Sequence, residues 1–184
     1  MLNQRIERIM HLESEHIKLR AIEPEDLETL YEWENDTSLW IHGNTLAPYS
    51  KLALREYINN TLSQDLFQSK QLRLMICLKS DRTVIGTIDL YDIDLFNSRS
   101  GIGILIDKNF RNKNYASEVL KIIQDYTFNF LNLHSLYSYI ACENKISIQL
   151  FQNAGYVEVG LLKDWIVASG GIHQDVFIFQ LTSQ

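Results

Sequence analysis

The chain has 184 residues, of which 46% are hydrophobic and 22% charged, with a formal net charge of −6. That length fits one domain with a sizeable core, and the balance excludes a disordered or fibrous chain. The acidic excess speaks against a nucleic-acid backbone as partner, which needs clustered Lys and Arg; it suits a cationic ligand, or is the ordinary acidity of a cytoplasmic protein.

Residues 1–14 carry charges every few positions and no sustained apolar run. They read as an extension, a helical turn or a docking strand rather than a leader, ahead of a domain over 15–184. HIKLR (16–20) reads as a strand. In EPEDLETLYEWEN, Pro24 suits a first helical position and acids crowd the first turn. Leu27, Leu30 and Tyr31 follow i, i+3, i+4 spacing, which predicts a helix. SKLALREYINNTL (50–62) repeats that spacing through Leu54, Tyr57, Ile58 and Leu62. Leu72, Leu74, Ile76 and Leu78 then alternate with Arg73, Met75, Cys77 and Lys79, the period of a strand. A polar turn at Ser80–Arg82 leads to TVIGTIDLYDI (83–93), so a hairpin is expected, and GIGILID (101–107) is the next strand. A helix from about Ser117 presents Val119, Ile122, Ile123, Tyr126 and Phe130 on one face, and LYSYIA (136–141) is a strand. The following helix is bracketed by Asn144, a good N-cap, and Gly155, a good stop. Strands at about 156–168 and 172–181 surround a turn at Ser169, Gly170 and Gly171.

This order predicts an α/β domain with one mixed, mostly antiparallel central sheet flanked by helices. Hairpins imply antiparallel neighbours, and the strand–helix–strand unit over 101–141 implies a parallel one. Three consecutive strands over 72–107 argue against a nucleotide-binding sheet of repeated strand–helix–strand units. Cys77 and Cys142 form no CxxC pair and sit in apolar runs, which reads as buried free thiols in a reducing compartment. No apolar run is long enough to span a bilayer, so a cytoplasmic protein without membrane contact is expected. The five histidines are scattered, with no pair at metal-ligand spacing. No catalytic metal is expected, and His173 reads as structural.

RNKNYAS (111–117) joins a strand to a helix. A helix start offers unpaired amides and the positive end of a dipole, which suits a phosphate, and Lys108, Arg111 and Lys113 add positive charge. Such loops usually carry glycine; Asn112 and Asn114 are the next most tolerant of a left-handed backbone. The alternative is an ordinary polar connection. Asp89 lies mid-strand, where period two puts it on one face with Ile85, Thr87 and Tyr91, and Asp92 on the other. A carboxylate in an apolar strand is satisfied, functional or solvent-facing. Glu32, Glu34 and Asp36, with Trp33 and Trp40, end the first helix; they suit a cation, or form a solvated helix end.

The run 16–181 resembles the GNAT superfamily of N-acetyltransferases, which binds acetyl-CoA. Its pyrophosphate loop, Arg/Gln-x-x-Gly-x-Gly/Ala, is matched by RNKNYA at Arg111 and Ala116, with Asn114 in place of the central glycine and Asn112 in place of a less fixed one. ENKISIQLFQNAGYVEVG (143–160) is similar to the family's N-x-x-S…L(Y/F)xxxGF segment through Asn144, Ser147, Leu150, Phe151, Gly155 and Tyr156. Residues 17–36 and Gly171–Asp175 resemble two branches, one acetylating polyamines such as spermidine, the other the N-terminal amines of ribosomal proteins.

The resemblance implies the GNAT acyl-CoA acyltransferase fold, with strand 101–107 splayed from strand 136–141. It implies pantetheine along the backbone of Ile104, Leu105 and Ile106. The pyrophosphate would sit on Arg111, Asn112, Lys113, Asn114, Tyr115, Ala116 and Ser117, with Ser117 capping the helix. Asn144, an N-cap on its own sequence signal, and Phe151 would lie against the cofactor. The implied chemistry is direct transfer from acetyl-CoA, in a ternary complex, to a primary amine. A small polyamine or diamine is slightly preferred, a protein N-terminus is the alternative, and homo-oligomers of unfixed number occur in these branches. Asp89 is then the candidate base. Phe151 stands where many members have Tyr and cannot donate a proton, so Ser147 is the candidate partner for the departing thiolate, which could also leave unassisted. Glu32, Glu34, Trp40 and Asp92 are the candidate acceptor-binding residues. The rival class is a non-catalytic acyl-CoA-binding domain, motivated by Asn112, Asn114 and Phe151.

Overall fold

The computed structural model describes residues 12–40, 45–168 and 171–183; residues 1–11 and the turn positions Ser169 and Gly170 lie outside the described residues. In chain order the elements are β1 (Ile17–Ala21), α1 (Leu27–Glu34), α2 (Thr37–Trp40), α3 (Lys51–Ser63), α4 (Leu66–Ser69), β2 (Leu72–Leu78), β3 (Val84–Asp94), β4 (Arg99–Ile106), α5 (Tyr115–Asp125), β5 (Ser135–Ala141), α6 (Lys145–Asn153), β6 (Val157–Val167) and β7 (His173–Thr182). The strands form one seven-stranded sheet ordered β1-β2-β3-β4-β5-β7-β6. Among the described residues only the β4–β5 pair is parallel. A strand–helix–strand crossover joins those two strands, while hairpins join β2, β3 and β4. The mixed, mostly antiparallel sheet expected from the element order is what forms.

Both faces of the sheet are covered, and the period-two pattern of β2 shows how. Leu74 and Ile76 enter the main core with Ile88, Leu90, Ile102, Val119, Leu120, Ile123 and Phe151. Met75 and Cys77 point the other way, into a second cluster with Ile22, Leu30 and Ile58. α1 and α3 therefore supply the second layer, through the i, i+4 spacing of Leu54 and Ile58 and the single buried Leu30. Each such aliphatic side chain contributes about 1.5–3 kcal/mol by leaving water.

Capping fixes the helix boundaries. A 3-10 turn at Pro24–Asp26 leads into α1. Asp26 locks it by accepting from Arg20 Nη1 and Nη2, at 2.6 and 2.7 Å, and from the Glu23 amide at 2.9 Å. Ser50 caps α3 and Asn144 caps α6, while Gly155, at φ +92°, follows the end of α6 as its stop.

The structure also corrects the sequence reading. α5 begins at Tyr115, not at Ser117, because Asn114 takes the N-cap position. A π-helical turn over Tyr126–Phe130 ends that helix, and the extra residue rotates Phe130 out of the apolar face to 59% exposure. Leu62 is likewise solvent-exposed at the end of α3. The short helices α2 and α4 carry no periodic apolar signal and were not expected. Cys142 lies just past β5 and is only partly buried, unlike Cys77; both thiols are free. No helix of the described residues is long and apolar enough to cross a membrane.

Candidate active site

The site begins where the sheet comes apart. β4 pairs in parallel with β5 only over Arg99–Gly101 and Ser135–Tyr137. β3 follows β4 as far as Ile106 on its other side. Beyond Gly101 the β4 edge facing β5 is therefore open, and Ile104, Leu105 and Ile106, all partly buried, lie along it. An extended ligand can add to such an edge as a strand would. Gly86 sets the spacing behind it: a Cβ there would collide with the Leu105 carbonyl oxygen, so β3 and β4 lie this close only around a bare backbone.

At the end of β4 the chain turns through a 3-10 turn, Lys108–Phe110, capped by Asp107. Arg111 Nε donates back to the Ile106 carbonyl at 2.9 Å. Asn112 and Asn114 then both adopt the left-handed conformation, at φ +60° and +63°. Asparagine tolerates that region with little strain, so the glycine-free loop reaches its turn. α5 starts directly after, with Tyr115, Ala116 and Ser117 in its first turn. Ser117 donates its amide to the Asn114 carbonyl at 3.2 Å and is thus a first-turn residue, not the cap. A left-handed loop, exposed Arg111 and Lys113, and a helix start fit a pyrophosphate; the open β4 edge fits an amide-bearing arm.

Across the opening, the Asn144 side-chain oxygen accepts from the Ser147 amide at 3.1 Å. This cap uses only the carboxamide oxygen and leaves both N–H groups for another partner. Ser147 lies in the first turn of α6 and is partly buried. Phe151, one turn further, is 2% exposed, with its ring against Tyr156 at 4.9 Å. Its expected place against a cofactor is therefore corrected: Phe151 is part of the main core, which its purely apolar ring suits.

On the α1–α3 side of the sheet lies a charged cluster. Arg73 Nε on β2 donates to Asp89 Oδ1 on β3 at 2.5 Å, and Arg73 Nη1 donates to Glu34 Oε1 on α1 at 2.6 Å. Arg73 also sits over the Tyr57 ring, 5.6 Å from its centroid. The pair follows from register, since Arg73 and Asp89 are direct cross-strand partners. Burial pushes the Asp89 carboxyl above its ordinary range, against the pull of Arg73; the Glu34 charge adds to the rise. Among the described residues Asp89 Oδ2 takes no hydrogen bond. On its β4 side Asp89 faces Gly103, and the next position of that face is Gly101. The Tyr91 ring covers Gly101, so the bare backbone beside the carboxylate is that of Gly103.

The acceptor candidates are partly redistributed. Glu34 is paired with Arg73 and is not a free anchor for a cation. Trp40 Nε1 donates to the Glu34 carbonyl at 2.8 Å, pinning the end of α1. Glu32, two residues from Glu34 and so nearly opposite it around the helix, is solvent-exposed and away from the cluster. Asp92 does not continue the alternation. The β3–β4 register shifts between Tyr91 and Asp94, and Asp92 takes φ +48°. Its charge then acts on both Tyr91 and Tyr137. Arg73, Tyr57 and the two glycines were not singled out from sequence; only the hairpin register brings them to Asp89. Trp33 was noted, but not its bond: Nε1 donates to Asp107 Oδ2 at 3.0 Å and ties α1 to the loop between β4 and α5.

A family model described as the acetyltransferase (GNAT) domain matches residues 16–157. The chain is 29% identical over 170 residues to the uncharacterized N-acetyltransferase p20 of Bacillus licheniformis, covering 92% of this chain and 94% of the relative. It is 26% identical over 164 residues to the spermidine N(1)-acetyltransferase of Vibrio cholerae, covering 87% and 89% respectively. Among solved structures, spermidine N-acetyltransferase from Vibrio cholerae in complex with CoA and spermine is similar with a TM-score of 0.81 and 25% identity, over 92% of this chain and 96% of that one.

Proposed function

The chain belongs to the GNAT acetyltransferase family and is an N-acetyltransferase with acetyl-CoA as co-substrate, and on that premise we propose that its acceptor is the primary amine of a small polyamine or diamine. The carrying observation is the Asp89–Arg73 pair, which sets a carboxylate beside Gly103 of β4, just past the point where the sheet parts.

The cofactor supplies an activated acetyl thioester. In this reading Ile104, Leu105 and Ile106 hold its arm along the β4 edge, and Asn144 offers carboxamide N–H groups. The first-turn amides of α5, with Arg111, Asn112, Lys113 and Asn114, hold its pyrophosphate. A primary amine has a pKa of about 10 and arrives protonated at neutral pH. Asp89 takes that proton on Oδ2, directly or through a water. Arg73 fixes the carboxylate through Oδ1, and Asp89's raised pKa brings its proton affinity nearer to that of its task. Ser147 offers a hydroxyl toward the departing sulfur, and its backbone N–H is already held by Asn144.

The partner named for the Vibrio cholerae structure, spermine, and the spermidine activity of the Vibrio cholerae relative support a polyamine acceptor here. Thiol release from acetyl-CoA, measured with spermidine, putrescine and a peptide bearing a free N-terminus, tests it. Turnover on the first two supports the reading, and turnover on the peptide alone moves the acceptor to a protein N-terminus.

A further inference from the structure

Gly101 has a tyrosine in register on each side: Tyr91 on β3 and Tyr137 on β5. A Cβ at Gly101 would collide with the Tyr91 ring, so that ring lies over the Gly101 backbone. The missing side chain lets the flanking rings meet edge to face, with centroids 6.1 Å apart at 85°. Tyr139, two residues along β5, adds a third ring 5.6 Å from Tyr137 and is 47% exposed. The three rings form a wall at the closed end of the split between β4 and β5.

Asp92 directly follows Tyr91 of this wall in the chain. It is solvent-exposed, sits at the register shift with φ +48°, and its charge acts on both Tyr91 and Tyr137. Among the described residues it forms no ion pair, whereas Asp94 is held by Arg99 at 3.3 Å and by Asn97. Arg99 acts on Tyr137 in the opposite sense, but its charge is shared with Asp94. Aromatic faces with one unpaired carboxylate suit an ammonium group, since ring quadrupole and charge both attract it. An apolar tail would gain from the rings but not from Asp92. The wall begins two residues from Asp89 on the same face of β3, a distance of about 7 Å.

We propose that Tyr91, Tyr137 and Asp92 form a subsite for the second, non-reacting ammonium of a diamine acceptor, whose first nitrogen lies at Asp89. The subsite rests on the reading of the protein as an acetyltransferase of small amines, and it adds a length rule: the preferred acceptor carries its second cation about 7 Å from the reacting nitrogen.

The test is the ratio of kcat/KM for putrescine to that for n-butylamine, at a pH where the second amine is protonated. In Asp92→Asn and in Tyr137→Leu this ratio falls about five- to tenfold; in Tyr137→Phe, which keeps the ring face, it stays within about twofold. Asp92 is exposed, so Asp92→Asn carries the test if Tyr137→Leu fails to fold. An unchanged ratio, with both amines still acetylated, overturns the subsite and leaves amine acetylation standing. Wild-type protein that acetylates neither amine overturns the acceptor reading and the subsite with it.

Discussion

Asp89 on β3 faces Gly103 on β4 across the antiparallel pair, so the carboxylate that Arg73 holds on one side looks onto bare backbone on the other. A Cβ at Gly103 would meet nothing closer than Tyr91 Cε1 at 3.9 Å, an ordinary contact. Gly103→Ala is therefore expected to leave stability within about 0.5 kcal/mol of wild type in urea unfolding. Its methyl group would stand beside Asp89, and kcat/KM for an amine should fall several-fold. Loss of stability without loss of turnover would show that Gly103 is structural only.

Gly86→Ala behaves differently. Its Cβ would run into the Leu105 carbonyl oxygen, and backbone cannot rotate away. β3 and β4 must spread, at about 3 kcal/mol of stability. The same spreading moves the edge proposed to hold the cofactor's arm, so calorimetric affinity for acetyl-CoA should drop as well. Unchanged affinity in a destabilised variant would uncouple that edge from the ligand.

The loop at Asn114 can be probed without touching the core. At φ +63° glycine is at least as comfortable as asparagine, while a β-branched residue is strained by about 1–3 kcal/mol. Asn114→Gly should bind acetyl-CoA as well as wild type or better, and Asn114→Val several-fold more weakly. Equal affinity for the Val variant would remove this loop from the binding site.

Much of this was legible in the sequence, because local signals carried it. Periodicity gave the longer helices and the strands, and Asn144 and Gly155 marked α6 from its composition alone. The tolerance of asparagine for positive φ was enough to anticipate the loop. Failures came where a neighbour in space decides. Ser117 and Asn114 both resemble caps, and only the backbone turn at Asn114 settles which one caps. Asp92 escaped the alternation through a register shift, and Phe151 was drawn into the core by Tyr156. Arg73 lies sixteen residues from Asp89. Its pairing with Asp89 depends on the hairpin register, which alternation alone leaves open.

Acid stability should track Asp26, which is 4% exposed. Burial works to raise its carboxyl, but Arg20 and the Glu23 amide overcome that and hold it below the ordinary range. Its stabilisation is therefore fully present above the unfolded-state pKa of about 4 and is lost as pH falls through the depressed folded value. Asp26→Asn should cost about 2 kcal/mol at neutral pH, less than a fully buried pair because Arg20 is about a third exposed. The gap from wild type should narrow in urea unfolding as pH is lowered. A constant gap down to strongly acid pH would exclude Asp26 as the titrating group.

The most direct test of Asp89 as the proton acceptor is the pH dependence of kcat/KM for putrescine, wild type against Asp89→Asn. Wild type should show a rising limb above the ordinary carboxylate range, because burial raises Asp89. In the Asn variant that limb should disappear, with turnover about 10²–10⁴-fold lower and recovering only toward the amine's own pKa near 10. The same rising limb in both proteins, with similar rates, would contradict the account.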